Sequence, residues 1–383
     1  MKKLFNLLAA LILASGSLFA QINPTSSPYY TDGIYSITAD SSIVGNKKIV
    51  MYKPSIPPIV KYPVLLFQPG ANGLFGGTIN VHTYDLYLKH LASYGFVTMV
   101  IDETSAGFPS GTTMSACLTW VKEQARSSSG HWLANYADTN KIVVGGHSNG
   151  GVNACETLAD NPLDVAGIVF FASYPSTFPT PNISGYTGKV LNLAGEDDES
   201  STPSACYTGY GKFTSSDCKT WVLITGMGHG GFGDYVNTSQ PVGFIGRDNA
   251  TATVRHYLVS FMLSQFKNNT TAANNLFTST LRPNTTSEFE TSCSTTTKND
   301  LTLMNEDIFV YPNPAIDKIF ISMANEMHDK ASVKLYNATG QICAASTVNN
   351  SYAEISLENL PVGMYLIRVE SANSIQMRYI IKQ

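Results

Sequence analysis

Between Lys47 and Phe266 the chain alternates short apolar runs with segments of helical spacing, a pattern few architectures accept. Ile49 to Tyr52, Val64 to Phe67, Phe96 to Ile101, Ile142 to Val144, Val165 to Phe171, Val190 to Leu193 and Trp221 to Ile224 read as strands. Several are unbroken β-branched runs, as expected of strands buried on both faces. Helix-like segments fall between them at Tyr84 to Ser93, Met114 to Gln124, Gly150 to Leu158 and Ala252 to Gln265. Strands and helices in alternation build a mostly parallel sheet covered on both sides, so the expected class is α/β.

The texture changes after residue 268. Asn268 to Asn299 is rich in Asn, Thr and Ser with little periodicity and reads as a trailing segment and linker. From Asp307 come short alternating runs at Ile308 to Val310, Lys318 to Met323, Ser332 to Tyr336, Ala353 to Leu357 and Tyr365 to Glu370. Turn residues separate them, the pattern of a small all-β sandwich. At the other end, Lys2 and Lys3 precede an apolar stretch from Leu4 to Leu13 and the small-residue sequence closing at Ala20. That is a secretory signal peptide rather than a membrane span, for which the stretch is too short. The expected organisation is therefore a signal peptide at 1–20, a catalytic α/β domain at 21–292, a linker at 293–306 and a β-sandwich at 307–383.

Charged residues make up 14% of the chain and the net charge is −4, so no basic surface for nucleic acid is expected. Removing residues 1–20, which hold Lys2, Lys3 and no acid, takes the charge to −6. The mature chain is expected to be exported, to lack a membrane span and to act as a monomer. Six cysteines in an exported chain permit disulfides. Cys206 with Cys218 is one expected pair, and Cys117 with Cys155 another, with buried thiols as the alternative for the second. Cys293 and Cys343 are left over. None has metal-ligand spacing, so no structural zinc is expected; no other metal and no cofactor is expected either.

Chemistry concentrates at three strand ends. Ile142-Val143-Val144-Gly145 runs into Gly146-His147-Ser148-Asn149-Gly150-Gly151, and a helical stretch follows. A serine flanked by glycines on a tight strand-to-helix turn is the nucleophile elbow, and it requires a base, an orienting acid and backbone donors for an oxyanion. An acid then a histidine should follow in chain order. Val190 to Leu193 leads into Gly195-Glu196-Asp197-Asp198-Glu199, where Asp198 is preferred and Asp197 is the alternative. Trp221 to Ile224 leads into Gly226-Met227-Gly228-His229-Gly230-Gly231, which makes His229 the base. The oxyanion donors are expected at the backbone N–H of Asn149 and in the glycine-rich loop from Gln68 to Gly77, with Ala71 preferred and Asn72 the alternative.

Pro69-Gly70-Ala71, Ala92-Ser93-Tyr94-Gly95-Phe96-Val97, Gly146 to Gly151 and Gly195-Glu196-Asp197-Asp198 together resemble the bacterial cutinase and polyester-hydrolase branch of the α/β-hydrolases, related to the dienelactone hydrolases. The resemblance covers Tyr62 to Asn268. It implies the α/β-hydrolase fold, a Ser148, Asp198 and His229 triad, and an oxyanion hole at Ala71 and Asn149. It further implies that Tyr174 contacts substrate where the family carries a Trp. Ala71 departs from the family's aromatic residue, so that half of the aromatic clamp is either missing or supplied by Phe75, and Asn149 replaces its Met. Both departures bear on polymer cleavage more than on ester cleavage. The expected substrate is an ester or polyester, including aromatic polyesters, with small or lipid acyl esters as the alternative. A non-catalytic surface adhesion module is the reading from another class.

Tyr311-Pro312-Asn313-Pro314, Leu357-Glu358-Asn359-Leu360-Pro361-Val362-Gly363-Met364-Tyr365 and the closing Tyr379-Ile380-Ile381-Lys382-Gln383 resemble the sorting domain of the type IX secretion system of Bacteroidetes. That resemblance implies the type IX secretion machinery as a partner, and export from the periplasm to the cell surface or beyond.

Overall fold

The computed structural model describes residues 21–58, 60–71, 79–102, 111–175, 182–235, 239–293, 308–323, 331–337, 339–348, 352–370 and 375–383. The signal-peptide assignment at 1–20 lies outside them. In chain order the first unit runs β1 (Ile37–Val44), β2 (Lys47–Pro54), β3 (Tyr62–Gln68), α1 (Asp85–Ser93), β4 (Val97–Ile101), α2 (Gly111–Gln124), α3 (Leu133–Tyr136), β5 (Ala137–His147), α4 (Asn149–Asp160) and β6 (Gly167–Phe171). It continues through β7 (Lys189–Gly195), α5 (Pro203–Gly211), β8 (Cys218–Ile224), α6 (Arg247–Lys267), α7 (Thr270–Phe277) and β9 (Thr286–Thr291).

These strands form one sheet in the order β1-β2-β4-β3-β5-β6-β7-β8-β9. The six strands from β4 to β8 are parallel, and β1, β2 and β9 add antiparallel edges. Side chains of a strand alternate between faces, and here both faces are cores. Val64 and Leu66 of β3 join α2 and α4 on one side, while Leu65 and Phe67 join α1 and α6 on the other. This is why the central strands read as continuous apolar runs. The chain leaves β3 toward β4 in one direction and later builds from β5 in the other. The switch point between β3 and β5 is where an open α/β sheet forms its crevice.

The polar stretch after Asn268 is more structured than its composition suggests. Asn268 closes α6 in the left-handed region at φ 52°, and the Asn269 side chain caps α7 by accepting from Ala272 N–H at 2.8 Å. β9 then pairs with β8, which places the expected trailing segment inside the sheet. This corrects the disulfide assignment. Cys218 at the start of β8 is bonded to Cys293 just beyond β9, not to Cys206. Cys206 points instead into an apolar cluster with Ala194, Tyr210, Trp221 and Leu223. Cys117 and Cys155 are likewise buried thiols, packed in the core beneath α2 and α4, and burial pushes the Cys155 thiol up to about 12. They serve as small apolar fillers.

The C-terminal unit comprises β10 (Ile308–Tyr311), β11 (Lys318–Met323), β12 (Ala331–Tyr336), β13 (Ile342–Val348), β14 (Tyr352–Ser356), β15 (Gly363–Glu370) and β16 (Ile375–Lys382). They form two antiparallel sheets, β10-β11-β14 and β13-β12-β15-β16, closed over one apolar core that includes Ile319, Ile321, Ile355, Val333, Leu335 and Ile367. Asn313 of the Tyr-Pro-Asn-Pro motif pins edge strand β16. Its amide donates to Tyr379 O at 2.9 Å and accepts from Ile381 N–H at 2.8 Å, replacing a missing strand partner.

Candidate active site

Ser148 sits between β5 and α4 with φ 53° and ψ −125°, a conformation that L-residues avoid. The glycines on either side are steric requirements. A Cβ on Gly146 would lie 2.2 Å from the Gly150 carbonyl carbon, and one on Gly150 would lie 2.0 Å from Gln68 O. Strain of about 1–3 kcal/mol at such a residue persists only where neighbours fix it. Here Ser148 N–H donates to Phe171 O at 3.0 Å, and Ser173 Oγ donates to Ser148 O at 2.5 Å. The turn leaves Ser148 half-buried at the crevice while His147 beside it is fully buried.

Asp198 lies past the end of β7 and His229 past the end of β8, and the fold brings them together. His229 Nδ1 donates to Asp198 Oδ2 at 2.8 Å. The other carboxylate oxygen accepts from Ser200 N–H and Ser201 N–H, each at 2.8 Å. Both side chains are buried, at 3% and 0% exposure. Asp197 is exposed, and its backbone N–H serves the turn by donating to Met227 O. A carboxylate on Nδ1–H fixes the tautomer that leaves Nε2 as the proton acceptor.

The glycines around His229 let the chain from Gln240 to Gly243 pass against it. A Cβ on Gly230 would lie 2.2 Å from Gln240 O, and one on Gly228 would lie 2.5 Å from Pro241 O. Arg247 at the start of α6 holds this loop by donating to Gly230 O at 2.8 Å, to Tyr235 O at 3.0 Å and to Gly233 O. Gln240 Nε2 donates to Ser200 Oγ at 2.9 Å, tying the loop to the acid turn. Sequence reasoning missed Arg247 and Gln240, because nothing local marks a residue whose partners lie on another loop.

Gly70, just past the end of β3, faces Ser148: a Cβ there would lie 3.2 Å from Ser148 Cβ. Ala71 follows it, half-buried, and Asn149 opens α4, where backbone N–H groups point out of the helix. Tyr174 stands just beyond β6, one residue after Ser173, and is half-buried against the cluster around Cys206, Tyr210 and Trp221. Phe75 and Asn72 lie outside the described residues. Among the described residues no group of three or more His, Cys, Asp or Glu could hold a metal ion, and no helix is long and apolar enough to cross a membrane.

Residues 70–241 match the family described as "Alpha/beta hydrolase family", and residues 309–383 match the "Secretion system C-terminal sorting domain". This chain carries an α/β-hydrolase domain. The match spans the elbow, the acid turn and the histidine loop of that hydrolase domain, and the parallel sheet flanked by helices is its fold. The type IX sorting domain marks the hydrolase as a secreted or cell-surface protein. No curated protein matches the chain.

Proposed function

We propose that the protein is a secreted serine carboxylic-ester hydrolase that works through an acyl-enzyme. The observation that carries this reading is the buried 2.8 Å hydrogen bond from His229 to Asp198, formed beside a strained serine elbow. His229 Nε2 takes the Ser148 proton as Oγ attacks the ester carbonyl. The N–H groups of Ala71 and Asn149 stabilise the oxyanion, and His229 returns the proton to the leaving alkoxide. Water then attacks the acyl-enzyme with His229 again as base. No cofactor is required for these steps.

The test is covalent. A fluorophosphonate probe should label the wild-type protein and leave Ser148→Ala unlabelled. Labelling that persists in the variant overturns the nucleophile, and a wild-type protein that never labels favours an adhesion module on a hydrolase scaffold.

The substrate we propose is a polyester, aromatic polyesters included, with Tyr174 and Phe75 as its aromatic contacts. The small side chain of Ala71 beside the nucleophile favours a second reading, in which the enzyme cleaves small or lipid acyl esters. Release of aromatic acid from a polyester film supports the polymer reading. Turnover of short nitrophenyl esters with no film hydrolysis supports the other. We further propose that residues 1–20 are removed on export, that the sandwich engages the type IX machinery, and that the mature hydrolase is a monomer.

A further inference from the structure

Two buried groups behind the candidate triad have no part in the chemistry above. Tyr84 stands immediately before α1 with its side chain wholly buried, and His147 occupies the elbow position before the nucleophile. The Tyr84 hydroxyl accepts from Gly70 N–H at 3.3 Å and is hydrogen-bonded to His147 Nδ1 at 2.8 Å. One phenol thus joins the backbone next to Ala71 to the side chain next to Ser148. The ring of His147 in turn lies 4.5 Å from that of His229, centroid to centroid, with Phe232 at 5.9 Å.

Both side chains of this bridge are neutral. Burial holds the Tyr84 phenol well above its ordinary value, so the hydroxyl keeps its hydrogen. The hydroxyl oxygen has two lone pairs, so it accepts from Gly70 N–H whichever partner donates across the bridge to His147 Nδ1. Burial, reinforced by the neighbouring His229, holds His147 well below the ordinary imidazole range. A neutral ring therefore faces His229, the group that becomes positive when it accepts the Ser148 proton. Tyr84, Tyr235, Phe232 and His229 are the rings about it, and the nearby Asp198 carboxylate is hydrogen-bonded to His229.

We propose that Tyr84 and His147 are paired positioning residues that hold the oxyanion turn at Gly70 and the ring of the base His229 in one fixed relation, and so act on turnover rather than on substrate affinity. This rests on the ester-hydrolase reading. Because Gly70 N–H is engaged by the phenol, the turn is left to present Ala71 N–H to an oxyanion. Tyr84→Phe removes the bridge while keeping the ring. His147→Phe removes the partner nitrogen while keeping a ring against His229.

The deciding experiment combines kinetics on a short nitrophenyl ester with nitrogen-15 NMR of labelled histidine. Tyr84→Phe, checked for an unchanged fold by circular dichroism, should lower kcat about tenfold with KM within about twofold, since a loosened donor costs less than a deleted one. The double variant Tyr84→Phe/His147→Phe should lose no more than the larger single loss, because both remove one bridge. In the wild-type protein His147 should stay neutral, in one tautomer fixed by the Tyr84 hydrogen bond, from pH 8 to pH 5. Unchanged kcat in folded Tyr84→Phe, additive losses, or a His147 that titrates near its ordinary value would each overturn the proposal. The NMR readout needs no substrate. An inactive wild-type protein with the bridge intact therefore identifies the ester-hydrolase reading as what failed, and the effect on turnover falls with it.

Discussion

At Asp198 the carboxylate accepts three hydrogen bonds in a site closed to solvent, one of them from His229. An amide in its place would offer either a donor or an acceptor to Nδ1, but not the charge that supports imidazolium. Asp198→Asn should therefore keep the fold and lower kcat by about 10⁴-fold, the scale seen when a triad base is held in the wrong tautomer. Asp197→Asn, one residue earlier and exposed, should stay within about twofold of wild type. Steady-state kinetics of the two variants decide between adjacent acids that the amino-acid sequence could rank but not separate. Comparable losses in both would move the acid away from Asp198. Ser148 and His229 stand out in the sequence because each is set among glycines, whereas Asp198 differs from Asp197 by its burial, which two neighbouring aspartates do not advertise.

β9 shows how an element can be invisible in sequence and still matter. Thr286 to Thr291 covers an edge with most of its side chains exposed or half-exposed, so it has no apolar run and reads as linker. β1 is similarly exposed and equally unmarked. The central strands, buried on both faces, were legible for the opposite reason. Because β9 was missed, its neighbour Cys293 had no apparent partner, and Cys206 was matched to Cys218 on nearness along the chain. The observed disulfide fastens the end of β9 to the start of β8 across a separation of 75 residues. Cross-links of this loop length restrict the unfolded chain and typically contribute about 2–4 kcal/mol. The double variant Cys218→Ser/Cys293→Ser should lose stability on that scale in urea unfolding, with the proposed ester turnover of the folded protein little changed because the candidate triad lies past the opposite, C-terminal ends of the strands. Cys206→Ser should leave the disulfide intact, which a thiol count under denaturing conditions reads directly.

Across the whole hydrolase unit, the segment that begins just past the expected signal peptide is latched onto the last helices. Ile22 N–H donates to Arg282 O at 2.9 Å, and Asn275 Nδ2 donates to Tyr29 OH at 3.0 Å. The central latch is His256 of α6, whose Nδ1 is hydrogen-bonded to Ser27 Oγ at 2.9 Å. Ser27 Oγ also accepts from Tyr29 N–H, and burial keeps the imidazole neutral. Burial lowers His256 to about 4 in the folded protein, against about 6.5 in an unfolded chain. Between those values the unfolded state binds more protons, so stability falls as pH falls. The contribution is fully present above about pH 6.5, declines through the window and is exhausted near pH 4, a total of about 3 kcal/mol for this group. His147, held low for the same reason, adds to the slope in the same direction. Unfolding free energies measured by urea titration should therefore drop steadily from pH 7 to pH 4. His256→Gln, which cannot titrate, should flatten that drop relative to wild type even if it starts from a lower stability. A variant with the wild-type slope would show that His256 is not the group whose burial couples acid to release of the N-terminal latch.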